Sequence, residues 1–351
     1  MTKTTLKDIA KALNTTIATV SRALHDKPEI SDSMKNRVKE VANLYSYKPN
    51  ATALSLKFQK SYRIGVIFPK LSHYYVTQIL SGMLIEAGKN GYKMLIAESN
   101  YNQFKELEYI KEFYELNVDA ILILPSRKLS LVKDKLENLI RDDIPFLIID
   151  RIIKFDQKTV PSIASDDYGG TTEGIKHLID NGYKKIAHLR GEESSTLANV
   201  RYYAYRDCLL KNNMELNPDW VILCNKFNKA EGEALAIRLM SLENRPDAIF
   251  CISDVVAVGV LSGLKKAGIR VPEDVAVLGF SNSDLAEVCY PTLSSIHQPG
   301  VAIGKKSIRL LLSNINMKKN ISRENIVMKT KVIVRESTSR IALSGTNSFR
   351  T

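Results

Sequence analysis

Three groups of residues in this chain carry side chains suited to chemistry. The first lies in TLKDIAKALNTTIATVSRAL, residues 5–24. There Arg22 and Ala18 stand four residues apart, and on a 3.6-residue period both point away from Val20, Ala23 and Leu24. An arginine can donate two parallel hydrogen bonds to one guanine, and small neighbours allow close approach to a base edge. Ile17 has no hydrogen-bonding side chain, so it either packs on a thymine methyl or belongs to the edge of the buried face. The second group follows apolar runs: SHYY at 72–75, Asp150 and Arg151 after PFLII, and Asp254 after AIFCIS. In an open α/β sheet, ligands sit beyond the carboxyl ends of the strands, which is where these residues fall. Tyr74 and Tyr75 offer rings for stacking; Tyr75 suits ordinary core equally well. The third group is GVAIGKKS, residues 300–307. A phosphate-cradling P-loop needs four residues between its glycines and a hydroxyl residue directly after the lysine. Here three residues separate the glycines, and Lys306 stands between Lys305 and Ser307.

Other signs of catalysis are weak. Asp166 and Asp167 beside Gly169 and Gly170 have no third ligand at metal-binding spacing, so they read as a loop and helix start. The five histidines are scattered. Cys208, Cys224, Cys251 and Cys289 lack CxxC spacing and read as reduced, buried side chains. No enzyme, metal or cofactor is expected.

The elements that position these groups follow from the patterning. Leu6, Ile9, Ala10 and Leu13 form one helical stripe, opened by Thr5 with Asp8 as a capping pair. Asn14-Thr15-Thr16 interrupts it, and Thr16 can cap a second helix. Ser31 can cap a third through about residue 45, with Met34, Val38, Val41, Ala42 and Tyr45 inward. Tyr47-Lys48-Pro49 ends the unit. Asn50 caps a short stretch, ATALSLK (51–57), too short to be stable alone and expected to order on a partner. From residue 63, RIGVIF, KMLIAES, DAILIL and PFLIID alternate with amphipathic stretches at about 76–90, 104–116 and 129–141. SIAS, KIAHLR, WVILC, AIFCIS and VAVLGFS repeat the plan. Buried strands alternating with helices predict two α/β lobes of doubly wound parallel sheet behind an all-α headpiece.

The chain has 351 residues and a net charge of +12. Residues 1–60 hold nine lysines and two arginines against three aspartates and two glutamates, half of that excess. Charge so localised points to a polyanionic partner. The opening MTKTTLKDIAKAL lacks the long apolar core of a secretory signal, and no run has membrane-spanning length, so a cytoplasmic protein without membrane contact is expected.

TLKDIAKALNTTIATVSRAL, YKPNATALSLK, IGVIFP, RPDAIFCISDVVAVGVL, GIRVPEDVAVLGF and LSSIHQP, in this order, resemble the LacI/GalR family of transcriptional regulators over residues 5–340. The resemblance implies a helix-turn-helix headpiece (1–48), a hinge helix and linker (49–62), and a two-lobed body like periplasmic sugar-binding proteins (63–340). The expected division is lobe 1 at 63–161 and 291–322, lobe 2 at 162–290 and 323–340, and a disordered tail at 341–351. It further implies a repressor that binds a pseudo-palindromic double-stranded DNA operator as a homodimer, controlled by a small-molecule effector, by default a sugar, between the lobes. Thr16, Ile17, Ala18, Thr19, Ser21 and Arg22 would meet the major groove and its phosphates. Leu56, with Asn50, Ala53 and Lys57 around it, would enter the minor groove as a wedge, while Leu54 packs on protein. Arg201, Phe227 and Asp254 match the family's ligand-binding arginine, aromatic and carboxylate, joining Tyr74, Tyr75 and Asp150. Ser281 stands where the family commonly has an aspartate, a departure that leaves sugar, purine and phosphorylated sugar open. A solute-binding protein of the same two-lobed build is the alternative function.

Overall fold

The computed structural model describes residues 4–47, 60–126, 144–151, 154–155, 158–193, 195–317 and 325–339. It divides into two units, Met1–Tyr62 and Arg63–Thr351.

In the first unit, α1 (Leu6–Ala12), α2 (Ile17–Leu24) and α3 (Asp32–Leu44) each start at a side-chain cap. The Thr5 amide donates to Asp8 Oδ2 at 2.8 Å, closing a capping box. Thr16 Oγ1 accepts the Thr19 amide, and Ser31 Oγ accepts that of Met34. Ile9, Ala10, Val20, Ala23, Val38 and Ala42 make the core. Tyr45 departs from expectation: it is 42% exposed. The helix stops at Leu44, Ser46 turns at a φ of 48°, and the Tyr47 amide returns to the Ala42 carbonyl at 2.8 Å. Tyr47, not Tyr45, therefore packs against the core.

The second unit contains, in order, β1 (Arg63–Phe68), α4 (Tyr74–Lys89), β2 (Lys93–Glu98), α5 (Gln103–Glu115), β3 (Ala120–Ile123) and β4 (Phe146–Ile149). A two-stranded ribbon, β5 (Lys154–Phe155) with β6 (Lys158–Thr159), precedes β7 (Ser162–Ser165). Then come α6 (Asp167–Asp180), β8 (Ile186–Arg190), α7 (Thr196–Lys211), β9 (Val221–Leu223), α8 (Lys229–Met240) and β10 (Ala248–Cys251). The series ends with α9 (Asp254–Lys266), β11 (Ala276–Ser281), α10 (Leu285–Val288), β12 (Ser294–His297), α11 (Gly300–Met317), β13 (Asn325–Met328) and β14 (Lys331–Ile333). One sheet runs β13-β7-β4-β3-β1-β2, the other β14-β12-β11-β10-β8-β9. Both are parallel except for β14, antiparallel to β12. Strands buried on both faces by helices need no alternation, which is why FLII, AILI and AIFC are apolar throughout.

The division between the lobes corrects the sequence-based one. Ser162–Ser165 belongs to lobe 1, where the Asp150 amide donates to the Ile163 carbonyl at 2.7 Å. Ser294–His297 belongs to lobe 2: it pairs with β11 and buries Ile296 against Leu278 and Phe280. The segment near 325–335, expected in lobe 2, is two strands, one in each sheet. A four-residue apolar strand carries no mark of its sheet; only the neighbour that meets its backbone donors decides that. The chain thus crosses between lobes after β7, after β12 and after β13. The expected helix at 129–141, the hinge stretch 51–57 and the tail 341–351 lie outside the described residues.

GVAIGKKS is helical from Gly300 onward. A Cβ on Gly304 would lie 2.0 Å from the Ile79 carbonyl oxygen, and one on Gly82 would lie 2.2 Å from that of Val301. These glycines let α4 and α11 pack backbone to backbone, which accounts for them without a phosphate.

Candidate functional site

In the first unit, α2 turns Val20 and Ala23 fully inward. Thr16, Ile17, Ala18 and Arg22 are exposed, and Thr19 and Ser21 are half-buried. Ile17, at 49% exposure, is outside the core, so the surface reading of that residue stands and the core reading does not. The Thr16 and Thr19 hydroxyls lie 2.9 Å apart at the helix start. His25, which ends the helix, places Nδ1 2.6 Å from the Ser21 carbonyl. One fixed cation beside two apolar side chains, on a rigid helix with an open N-terminal turn, can read base edges in a groove. Asn50, Ala53, Leu54, Leu56 and Lys57 lie outside the described residues.

In the second unit the carboxyl ends of both sheets face a cleft of about 650 Å³. It brings together Tyr74, Tyr75, Asp150, Arg201, Phe227, Asp254 and Ser281. Each arrives by a local device. Tyr74 and Tyr75 begin α4, and the Tyr74 hydroxyl spans the cleft to Asp284 Oδ1 at 3.2 Å. Asp150 follows β4 at a φ of 66°. Arg151 bridges the lobes, donating to the Ser126 carbonyl at 2.7 Å and to Thr196 Oγ1 at 3.1 Å. Phe227, at a φ of 50°, is held by Glu231, whose carboxylate accepts the amides of Asn225, Lys226 and Phe227 and the Cys224 thiol. A Cβ on Gly191 would fall 3.1 Å from the Phe227 ring, so that glycine makes room for it.

Arg201 is 9% exposed and lies with its guanidinium 3.6 Å from the centre of the Phe280 ring. Its Nε and Nη2 donate to Asp167 Oδ2 at 2.9 and 2.7 Å, and Nη1 donates to the Ile252 carbonyl at 2.8 Å. The other oxygen of Asp167 accepts the Ser165 hydroxyl and Gln298 Nε2. Gln298 Oε1 in turn accepts the Ser281 hydroxyl at 3.1 Å. Asp254, expected to receive ligand hydroxyls, is 2% exposed, and its two oxygens already accept the Ser295 hydroxyl and the Ser283 amide. It fixes the loop that carries Ser281 and Ser283.

Burial governs the protonation of these groups. It raises Asp150 to about 7, helped by the nearby charge of Asp167 and opposed by Arg201 and Arg151. It raises Asp254 to about 6 against the hydrogen bonds that favour the carboxylate. Burial, then the charge of Lys70, lowers His73, whose Nε2 meets the Tyr101 hydroxyl.

Sequence reasoning passed over Asp167, Gln298 and Glu231. Asp166 is indeed a helix start, its Oδ1 accepting the Gly169 amide at 2.8 Å, but Asp167 is the partner of Arg201. The signal for Gln298 was available: it follows β12 at the carboxyl end, where ligand-facing residues gather. Among the described residues there is no cluster of histidine, cysteine or carboxylate side chains able to hold a metal.

Residues 5–50 match the bacterial regulatory proteins of the lacI family, and residues 175–338 match the periplasmic binding protein-like domain. The crystal structure of the transcription regulator CcpA of Lactococcus lactis is 30% identical, covering 79% of this chain and 99% of that one, with a TM-score of 0.68. The chain belongs to the LacI family. This LacI-family regulator is also 28% identical over 337 residues to the HTH-type transcriptional repressor PurR of Vibrio campbellii, covering 96% of this chain and 99% of that repressor. The lac repressor dimer bound to operator and the anti-inducer ONPF shares the fold at a TM-score of 0.84 and 21% identity, covering 96% and 99% of the two chains. The chain is thus a DNA-binding transcription regulator homologous to repressors. No helix among its described residues is long and apolar enough to cross a membrane.

Proposed function

We propose that this LacI-family protein is a repressor that binds a pseudo-palindromic operator as a homodimer and is switched by a small, sugar-like effector held in the cleft. Thr16, Ile17, Ala18, Thr19, Ser21 and Arg22 read and grip the major groove; Asn50, Ala53, Leu56 and Lys57 act in the minor groove. Tyr74, Tyr75, Asp150, Arg201, Phe227, Asp254 and Ser281 bind or frame the effector. Supporting this reading above all is the bond between Arg201 and Asp167. Arg201 lines the cleft, while Asp167 sits at the crossing from β7 to α6, joined there to Gln298 from the crossing after β12. A ligand that shifts Arg201 therefore pulls on two of the three strands of chain between the lobes. Such a ligand changes DNA affinity only through different affinity for the two lobe arrangements.

The test is operator selection from a random-sequence duplex library with the full chain, followed by band-shift titration with candidate effectors. A palindromic consensus bound by two chains, with affinity altered by a ligand, is expected. Selection of no consensus refutes the reading. Deleting residues 1–62 separates it from a solute-binding protein: the regulator loses DNA binding and keeps the ligand.

A further inference from the structure

The cleft is short of hydrogen-bond donors rather than of cations. Arg201 has its charge met by Asp167 and a third donor on the Ile252 carbonyl. Lys70 is paired with Glu98 at 3.1 Å and bonded to Asn100 at 2.6 Å. Arg151 donates to Ser126 and Thr196. Acceptors and hydroxyls are in the opposite condition. Among the described residues, Tyr75 Oη, Ser126 Oγ, Asp150 Oδ1 and Ser283 Oγ are buried polar atoms without a hydrogen-bond partner, and all four residues line this one cleft. Tyr75, Ser126 and Ser283 are each more than nine-tenths buried, so water does not meet their needs from outside. Buried polar atoms are ordinarily paired, and several orphans around one cavity mark what the missing molecule supplies.

Resting on the proposed effector reading, we infer that the buried end of the effector is an uncharged polyol, with vicinal hydroxyls that donate to Asp150 and exchange hydrogen bonds with Tyr75, Ser126 and Ser283. A hydroxyl both donates and accepts, which is what a carboxylate oxygen and three hydroxyls together require. A phosphate or carboxylate offers acceptors only and would lie against Asp150 with Arg201 already neutralised, so anionic forms of the same ligand are rejected. Phe227 and Tyr74 supply the apolar faces on which a ring can lie.

The experiment compares matched pairs on the full chain at millimolar concentration: D-ribose with ribose 5-phosphate, adenosine with adenosine 5′-monophosphate, and cellobiose with cellobionic acid. Thermal shift and calorimetry are read for the native chain, Asp150→Asn and Ser283→Ala. At least one neutral member raises the unfolding midpoint, and its anionic partner does not. Asp150→Asn raises the midpoint of the ligand-free chain, because it removes an unpaired buried carboxylate, and weakens the neutral ligand by about tenfold or more. Ser283→Ala keeps the midpoint and weakens the ligand by a smaller factor. A merely structural Asp150 would lower the ligand-free midpoint on substitution instead. Tighter binding by the anionic partner, no shift from any neutral member, or unchanged affinity in Asp150→Asn overturns the inference. The band shift separates this from the function itself. Anionic ligands that alter operator affinity leave the effector-controlled repressor standing without the polyol. A neutral ligand that binds and leaves operator affinity unchanged does the reverse.

Discussion

Replacing Asp167 by asparagine removes one charge and almost no volume from the most buried ion pair of the cleft. The Asp167 side chain is 2% exposed and that of Arg201 11%. In the native chain Asp167 Oδ2 takes two guanidinium donors while Oδ1 takes the Ser165 hydroxyl and Gln298 Nε2. An asparagine has one oxygen, so its amide nitrogen must face one of these donor sets whichever way it turns. Two unit charges about 4 Å apart at an effective dielectric near 20 attract by about 4 kcal/mol. That agrees with the ~3–5 kcal/mol lost when one partner of a buried pair is removed and the other stays charged. Asp167→Asn should therefore destabilise lobe 2 by about 3–5 kcal/mol. Urea unfolding at neutral pH, followed by fluorescence of Trp220, measures this; it is the single tryptophan and is fully buried in lobe 2. Asp167→Leu with Arg201→Met together should recover much of the loss, since removing both charges leaves none stranded. A loss below about 1 kcal/mol in Asp167→Asn, the range of exposed pairs, would refute the claim that the pair is buried and strained by its removal.

Other substitutions test the remaining links. Arg22→Ala should weaken the selected operator by about 1–3 kcal/mol and relax preference at one base pair, read by competition band shift. Leu56→Ala should lower operator affinity strongly while calorimetry shows effector affinity intact; equal operator binding removes the wedge. Gly304→Ala forces a methyl against the Ile79 carbonyl and should destabilise the α4–α11 contact by about 1–3 kcal/mol in thermal unfolding. His188 is fully buried and stacked on Phe250 at 4.6 Å between ring centres, and burial lowers its pKa to about 3. The unfolded histidine binds its proton near pH 6.5, so stability drains as pH falls from there toward 3, by a few kcal/mol on the order of 1.4 per unit. His188→Phe should flatten that part of the pH–stability profile relative to the native chain.

The headpiece was readable because its signals are local. Thr5, Thr16 and Ser31 cap helices within three residues of themselves, and Val20 and Ala23 repeat at helical spacing. Ile17 was ambiguous for the same reason: it lies three residues from Val20, and only the packed bundle shows that α1 and α3 leave it uncovered. Tyr45 and Tyr47 were exchanged because one left-handed residue, Ser46, re-aims the chain. In the body, apolar runs gave strand positions well but not sheet membership, so β7 and β12 were assigned to the wrong lobes. The strand-end residues of the cleft were found by type, whereas Asp254 looked free for ligand until Ser283 and Ser295 were seen to occupy it.

What the sequence determined by itself is therefore what one turn of chain or one strand decides: caps, helical faces, the alternation that makes two α/β lobes, and the basic N-terminal sixth of the chain. Contacts between distant residues were left to the tertiary structure. Asp167 meets Arg201 from 34 positions away and Gln298 from 131, and Tyr74 reaches Asp284 across 210. No spacing rule spans such separations, because the side chains meet only after two sheets have closed and the chain has crossed between them three times.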